Sequence, residues 1–188
     1  NGGTRMSLKD ITWDLHKEAE TSQFVKKIFK GEASPQEYAL YLYNLLAIYD
    51  PIEFSCKRQG LFKNLEGIER LNKLYTDFLE LDDGSAYQLM PSVVEYHDYL
   101  IKLGNDPYRR HLMKAHLYVR HMGDLFGGQM IKKIIPGSHR ALEFSDAKTL
   151  MTNIREKIND SMAEEANIAF DWAIRMMRDY DKDLGAVT

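Results

Sequence analysis

Apolar residues recur along most of this chain at intervals of three and four, the spacing of a helix face turned toward a core. Leu8, Ile11, Leu15, Ala19 and Phe29, with the small Ser22 in the same register, predict an amphipathic first helix running to Phe29. Ser34-Pro35-Gln36-Glu37 combines a capping serine, a proline at the first helical position and a glutamate three residues past the cap, so a second helix starts there. Pro51 should bend or end it. The pattern places a third helix over residues 67–81, closed by the turn Asp82-Asp83-Gly84-Ser85, and a fourth from Pro91 to about Gly104. A long fifth runs from Asp106-Pro107 to about Ile135, a sixth from a Ser145-Asp146 cap to about Asn159, and a seventh from Met162 to about Tyr180. No stretch alternates with the period of two that a strand requires, and no repeat or long linker divides the chain. The expectation is one all-α, multi-helix domain over residues 6–182, with 1–5 a flexible start or cloning remnant and 183–188 a short tail.

Composition narrows this picture little. The 188 residues are 44% hydrophobic and 28% charged, with a net charge of −3, which suits one globular domain and argues against general nucleic-acid binding. Cys56 is the single cysteine, so no intramolecular disulfide forms and a reducing compartment is favoured. The longest uncharged apolar run, 38–49, falls well short of the ~20 residues that span a bilayer. A soluble, cytoplasmic protein without a membrane anchor is expected.

Gly123-Asp124-Leu125-Phe126-Gly127-Gly128 interrupts the fifth helix. Each interior glycine costs about 1 kcal/mol relative to alanine, so three together cost roughly 3 kcal/mol that some other interaction must offset. Gly123 and Gly127 are four apart and share a face. Close helix packing over small residues is one explanation; a flat ligand lying on bare backbone, with the helix kinked over it, is the other. Asp124 beside that face needs a polar partner or water.

The six histidines offer no ready metal cluster. His111, His116 and His121 are five apart and point in different directions around a helix of ~3.6 residues per turn. Neither Glu-x-x-His nor His-Glu-x-x-His occurs, which disfavours di-iron carboxylate and zinc peptidase chemistry. His16 stands apart. Glu20 one turn on could accept its Nδ1–H and leave Nε2 for a metal, and Lys9 lies two turns back on nearly the same azimuth. The plainer alternative is a partly exposed histidine paired with glutamate.

Two segments together resemble a known family. Leu15-His16-Lys17-Glu18-Ala19-Glu20 is similar to the proximal-histidine segment of heme oxygenases. Tyr118-Val119-Arg120-His121-Met122-Gly123-Asp124-Leu125-Phe126-Gly127-Gly128-Gln129, followed by Lys132-Lys133, is similar to their distal-helix signature. The interval between the segments also fits, and the likeness covers roughly residues 6–180. It implies an all-α bundle holding heme between the first, proximal helix and a kinked distal one. The implied reaction is O2- and electron-dependent conversion of heme to biliverdin, CO and ferrous iron, with heme as both substrate and cofactor.

Position by position, the resemblance implies that His16 ligates the iron with Glu20 in support. Gly123, Gly127, Gly128 and Phe126 would meet the distal face. Asp124 would anchor a proton-carrying water network, with Tyr49 and Arg120 beside it. Lys9, Tyr118 and Arg155 would hold the propionates, and Phe170 would line the pocket. The sequence departs from the family pattern at three positions. Phe126 stands where a small residue is usual, His121 where tyrosine is common, and Met151 where a propionate-binding lysine is expected, with Lys148 a possible substitute. These affect the orientation of heme, and so the biliverdin isomer, more than the reaction class. Lys26, Lys27, Lys30, Lys132 and Lys133 form a basic group that could dock an acidic ferredoxin, or be a solvated surface. A monomer is expected. The competing readings are a non-catalytic heme or tetrapyrrole carrier, a related helical enzyme of thiamine-type chemistry, and a purely structural bundle.

Overall fold

A computed structural model describes residues 20–186, together with Asp10, Trp13, Lys17 and Glu18. Every regular element among the described residues is helical. The predicted first helix is not continuous up to Phe29: Glu20 and Thr21 form a turn, and α1 spans Gln23–Phe29. Ser22 is the cause. Its backbone is extended, its Oγ accepts from the Val25 N–H at 3.2 Å, and its hydroxyl donates to Asp181 at 3.0 Å. Asp181 also accepts the Phe24 N–H at 2.9 Å, so the far end of the chain helps to start this helix anew.

Helix α2 (Pro35–Arg58) carries the capping box that the sequence announces. Ser34 accepts from the Glu37 amide, and Glu37 from the Ser34 amide. Pro51 does not end it. A proline inside a helix removes the N–H that would bond to the carbonyl four residues back; here that carbonyl is Ala47, and His97 Nδ1 lies 2.7 Å from its oxygen. A carbonyl only accepts, so the proton of His97 sits on Nδ1. The His97 side chain thus replaces the missing backbone donor, and α2 continues for seven residues beyond Pro51.

Helix α3 (Leu71–Leu81) begins later than Gly67, whose φ of +87° places it in the left-handed region outside a helix. Its first amides are capped from a distance: Glu53 of α2 accepts the Arg70 N–H at 2.7 Å and the Leu71 N–H at 3.0 Å. Helix α4 (Pro91–Asn105) is likewise started by remote side chains, Asn44 accepting from Met90 N–H and Asp179 from Ser92 N–H. After a 3-10 turn at Arg110–Leu112 come α5 (Met113–Leu125) and a single-turn α6 (Gly128–Ile131), so the predicted long fifth helix is broken in two. Helix α7 (Ala147–Lys157) is capped by Asp146, and α8 (Ala163–Ala186) continues past Tyr180.

The centre of the molecule is α2, which packs against α3, α4 and α5, while α8 covers α1, α4 and α5. Leu42, Ile48, Tyr49, Ile52 and Cys56 of α2 are essentially inaccessible. Burying each such aliphatic side chain stabilises the fold by about 1.5–3 kcal/mol. A smaller apolar cluster joins α5 to α8 through Ala115, Val119, Ala166, Ala169 and Phe170. No helix among the described residues is long and apolar enough to cross a membrane.

The Pro51–His97 pairing makes a prediction. His97→Ala leaves the Ala47 carbonyl without its donor and should lower stability by about 1–3 kcal/mol, the cost of an unsatisfied buried acceptor. Adding Pro51→Ala restores an amide to that carbonyl and should recover part of the loss. Urea unfolding of the two single variants and the double variant measures this, and strictly additive losses would rule the pairing out.

Candidate functional site

The break between α5 and α6 organises the site. Phe126 and Gly127 turn the chain after Leu125, and the Phe126 side chain is 59% exposed. Gln129 bridges the break: its Nε2 donates to the Asp124 carbonyl at 3.1 Å and to the Leu142 carbonyl at 2.8 Å. The side-chain amide thereby satisfies acceptors at the helix end that would otherwise lack a partner.

The three glycines differ in what they permit. A Cβ on Gly128 would come within 2.7 Å of Leu142 Cδ2, so a side chain here would force the buried Leu142 to shift. A Cβ on Gly127 would meet the Gly123 carbonyl at 3.3 Å. At Gly123, which is exposed, a Cβ would meet nothing within 4 Å among the described residues. Close helix packing therefore explains Gly128 but not Gly123. Next to Gly127 lies a cavity of about 550 Å³, lined among the described residues by Phe126, Gly127 and Met130 on one side, by Val25, Lys26 and Phe29 of α1 on the other, and by Glu20. Its size is that of a small-molecule site. Its mostly apolar walls, with Lys26 and Glu20 as the charged groups, suit an apolar small molecule with a polar edge.

Behind the glycine segment sits a charged cluster. Tyr49 of α2 donates its hydroxyl to the Asp124 carboxylate and approaches the Arg120 carbonyl at 3.3 Å. The Arg120 guanidinium stands 5.8 Å from the Tyr49 ring centre, and its Nε is buried with no hydrogen-bond partner among the described residues. Burial pushes the Asp124 carboxyl above the usual range, against the pull of His121, the Tyr49 hydroxyl, Arg120 and Arg70. Burial likewise raises the Tyr49 phenol, with the Asp124 charge adding to it, so Tyr49 remains a donor. A buried carboxyl pushed toward neutrality, held by a phenol that does not ionise, is suited to take and release a proton.

Three of the histidines are occupied by protein acceptors or donors. His97 bonds to Ala47, as described. His116 lies between Tyr96 and Glu165, with its Nε2 2.9 Å from Glu165 Oε1. Burial lowers its pKa, opposed by Glu165. His121 lies between the Leu117 carbonyl and Glu53.

Of the sequence-predicted site residues, His16 and Lys9 lie outside the described residues. The structure brings Tyr49, Arg120 and Asp124 together and places Glu20, Phe126 and Gly127 on the cavity. It does not place Gly123, Gly128, Tyr118, Arg155 or Phe170 on that lining. Phe170 is 5% exposed inside the α5–α8 cluster, with Tyr118 packed against it, and Arg155 is exposed in the last turn of α7. Lys148 is exposed and Met151 packs against the core. Sequence reasoning missed Glu53, Arg70 and Gln129. Glu53, one turn after Tyr49 and on the same face of the helix, was the one visible signal; Arg70 gave none.

Known proteins share both the fold and the sequence pattern. The heme oxygenase family model matches residues 4–152, and the chain belongs to that family. Among relatives, heme oxygenase 2 of Macaca fascicularis is 26% identical over 93% of this chain and 64% of its own length. The heme oxygenase of Rhodella violacea is 26% identical over 95% of this chain and 87% of its own length. The chain thus spans just under two thirds of the macaque relative. Heme oxygenase-1 from the cyanobacterium Synechocystis, solved in complex with heme, has the same fold, with a TM-score of 0.77 at 24% identity, covering 96% of this chain and 95% of that one.

Two glycine substitutions separate packing from ligand contact. Gly123→Ala should leave the heme-free protein as stable or raise its stability by up to about 1 kcal/mol, the helix preference of alanine. Gly128→Ala should destabilise it, with Leu142→Ala in the same chain relieving the clash. Thermal unfolding of the heme-free variants measures both, and a destabilising Gly123→Ala would show that this face packs against protein.

The Glu53 carboxyl makes a pH prediction. Burial would raise it, but His121 and the Arg70 and Leu71 amides outweigh that and hold it below its ordinary value. A carboxyl depressed in the folded state stabilises above its unfolded pKa, and that stability is lost as pH falls through the folded value. Glu53→Gln should therefore flatten the acid limb of the stability curve below about pH 4.5. Urea midpoints across the acid range measure it; an unchanged acid slope contradicts the assignment.

Proposed function

We propose that this chain is a heme oxygenase, opening heme to biliverdin with release of CO and ferrous iron at the expense of O2 and external electrons. The observation that carries this reading is the glycine segment: Gly127 lines an apolar cavity, Gly123 one turn before it is exposed with open space at its Cβ position among the described residues, and the Tyr49–Asp124–Arg120 cluster adjoins them. Heme fits the lining. Val25, Phe29, Phe126 and Met130 would contact its faces and edge, and bare backbone at Gly123 and Gly127 would allow close approach. That a relative of the same fold was solved with heme supports the same ligand here.

In this reading His16 ligates the iron and Glu20, four residues on and on the cavity lining, orients it. Lys9, Tyr118 and Arg155 serve the propionates. Phe170 reaches heme through the α5–α8 cluster, and Gly128 acts by keeping α6 close to Leu142. Bound heme supplies the iron at which O2 is activated. The chain's own part is to exclude bulk water on the glycine side and to hold a proton at the Asp124 carboxyl under the hydrogen bond from Tyr49. Electrons come from an external donor. Lys26, Lys30, Lys132 and Lys133 offer a basic face to an acidic ferredoxin, while Lys27 is engaged with Glu37 at 2.7 Å. The reading includes a monomer working in the cytoplasm.

Anaerobic hemin loading followed by O2 and reduced ferredoxin, with chromatography of the products, tests the proposal. Biliverdin and CO are expected. Intact hemin binding without biliverdin would instead leave a tetrapyrrole carrier. His16→Ala should abolish the histidine-ligated absorption spectrum. Asp124→Ala should keep hemin binding and lower the rate of biliverdin formation by about a hundredfold or more, the lower edge of what a proton-transfer group contributes.

A further inference from the structure

Behind Tyr49 and Asp124 lies a second ionisable pair that the proposed reaction leaves unused. His121 is fully buried in α5. Its Nδ1 is 3.2 Å from the Leu117 carbonyl oxygen, and its Nε2 is 2.7 Å from Glu53 Oε2. The carbonyl accepts only, so Nδ1 carries a proton. Both Glu53 oxygens already accept backbone amides, Oε2 from Arg70 and Oε1 from Leu71. That pattern fits a carboxylate, and a carboxylate facing Nε2 gives that nitrogen a proton as well. His121 is then an imidazolium with both donors used.

This charge stands next to the distal machinery. The His121 and Tyr49 rings are 4.9 Å apart, tilted by 50°, and the hydroxyl of that same Tyr49 donates to Asp124. The groups facing Asp124 are Tyr38, Tyr41 and Tyr49 from α2, Arg70 at the entry to α3, and Arg120 and His121 from α5. Among the cations, His121 acts on Asp124 ahead of Arg120 and Arg70. Glu53 offsets its influence only in part, because its own charge is shared with two amides.

We propose that His121, charged and pinned by Glu53, is a positioning residue for Asp124: it braces the Tyr49 ring and presents a positive charge that keeps Asp124 the acceptor of the Tyr49 hydroxyl. Its place in turnover rests on the heme oxygenase reading, whereas the pair itself is a property of the heme-free protein.

Nitrogen-15 NMR of histidine-labelled, heme-free wild-type protein at neutral pH should find both ring nitrogens of His121 protonated; one bare nitrogen overturns the proposal and needs no variant. Carboxyl carbon-13 titration of Asp124, assigned by the loss of its signal in Asp124→Asn, adds the functional half. His121→Gln should raise the Asp124 midpoint by about one pH unit, a tenfold gain in proton affinity. His121→Lys, which keeps the charge, should reverse most of that shift. An unmoved midpoint in His121→Gln refutes the electrostatic role. In hemin-loaded protein the pH profile of biliverdin formation should move with the titration. A titration shift without a profile shift removes His121 from turnover. Failure of the wild-type protein to make biliverdin would overturn the enzyme reading instead and leave the NMR results standing.

Discussion

Glu53 holds three helices in one arrangement. It leaves α2 one turn beyond Tyr49, accepts the first amides of α3, and grips His121 of α5. A buried carboxylate is costly unless donors surround it, and three N–H groups from two other parts of the chain do so here. Once they are in place, Arg70 is fixed at the entry to α3. Its guanidinium donates to the carbonyls of Gly67, Ile68, Glu69, Ala141 and Glu143 and lies 3.9 Å over the Phe144 ring. The segment 141–143 is thereby tied down, and it is against this segment that α6 packs. The distal cluster depends on a residue that is not itself part of it.

The elements that the chain starts for itself were legible in the sequence, and of those capped by remote residues only α4 was, because Pro91 announces its start. Ser34 and Asp146 cap their helices locally, and both helices begin where the pattern places them. Helix α3 begins late because its amides wait for Glu53, a residue 17 positions earlier than Arg70. The new start at Ser22 depends on Asp181, 159 residues away. Pro51 reads as a helix end in any local scheme, and only the fold brings His97 to the vacated carbonyl.

The site divides in the same way. Tyr49, Arg120 and Asp124 came from the family pattern, and the structure gathers them. Spacing alone could not tell a glycine packed against a side chain from one with open space beside it. That distinction needed the position of Leu142 against Gly128 and the open space at Gly123. Phe170 and Tyr118 share a cluster between α5 and α8, a contact across some fifty residues of chain that no local periodicity encodes.

Gln129 gives the glycine segment a mechanical character. A helix broken at consecutive turn residues next to glycine resembles a loose joint, free to swing on its own. Yet one side-chain amide fastens Asp124 on one side of the break to Leu142 on the other, and Leu142 also fills the space above Gly128. Any outward swing of α6 must carry the 141–143 segment with it or break both bonds, and Arg70 anchors that segment to the core. The joint is latched, and its travel is set by residues some fifteen positions downstream of the glycines.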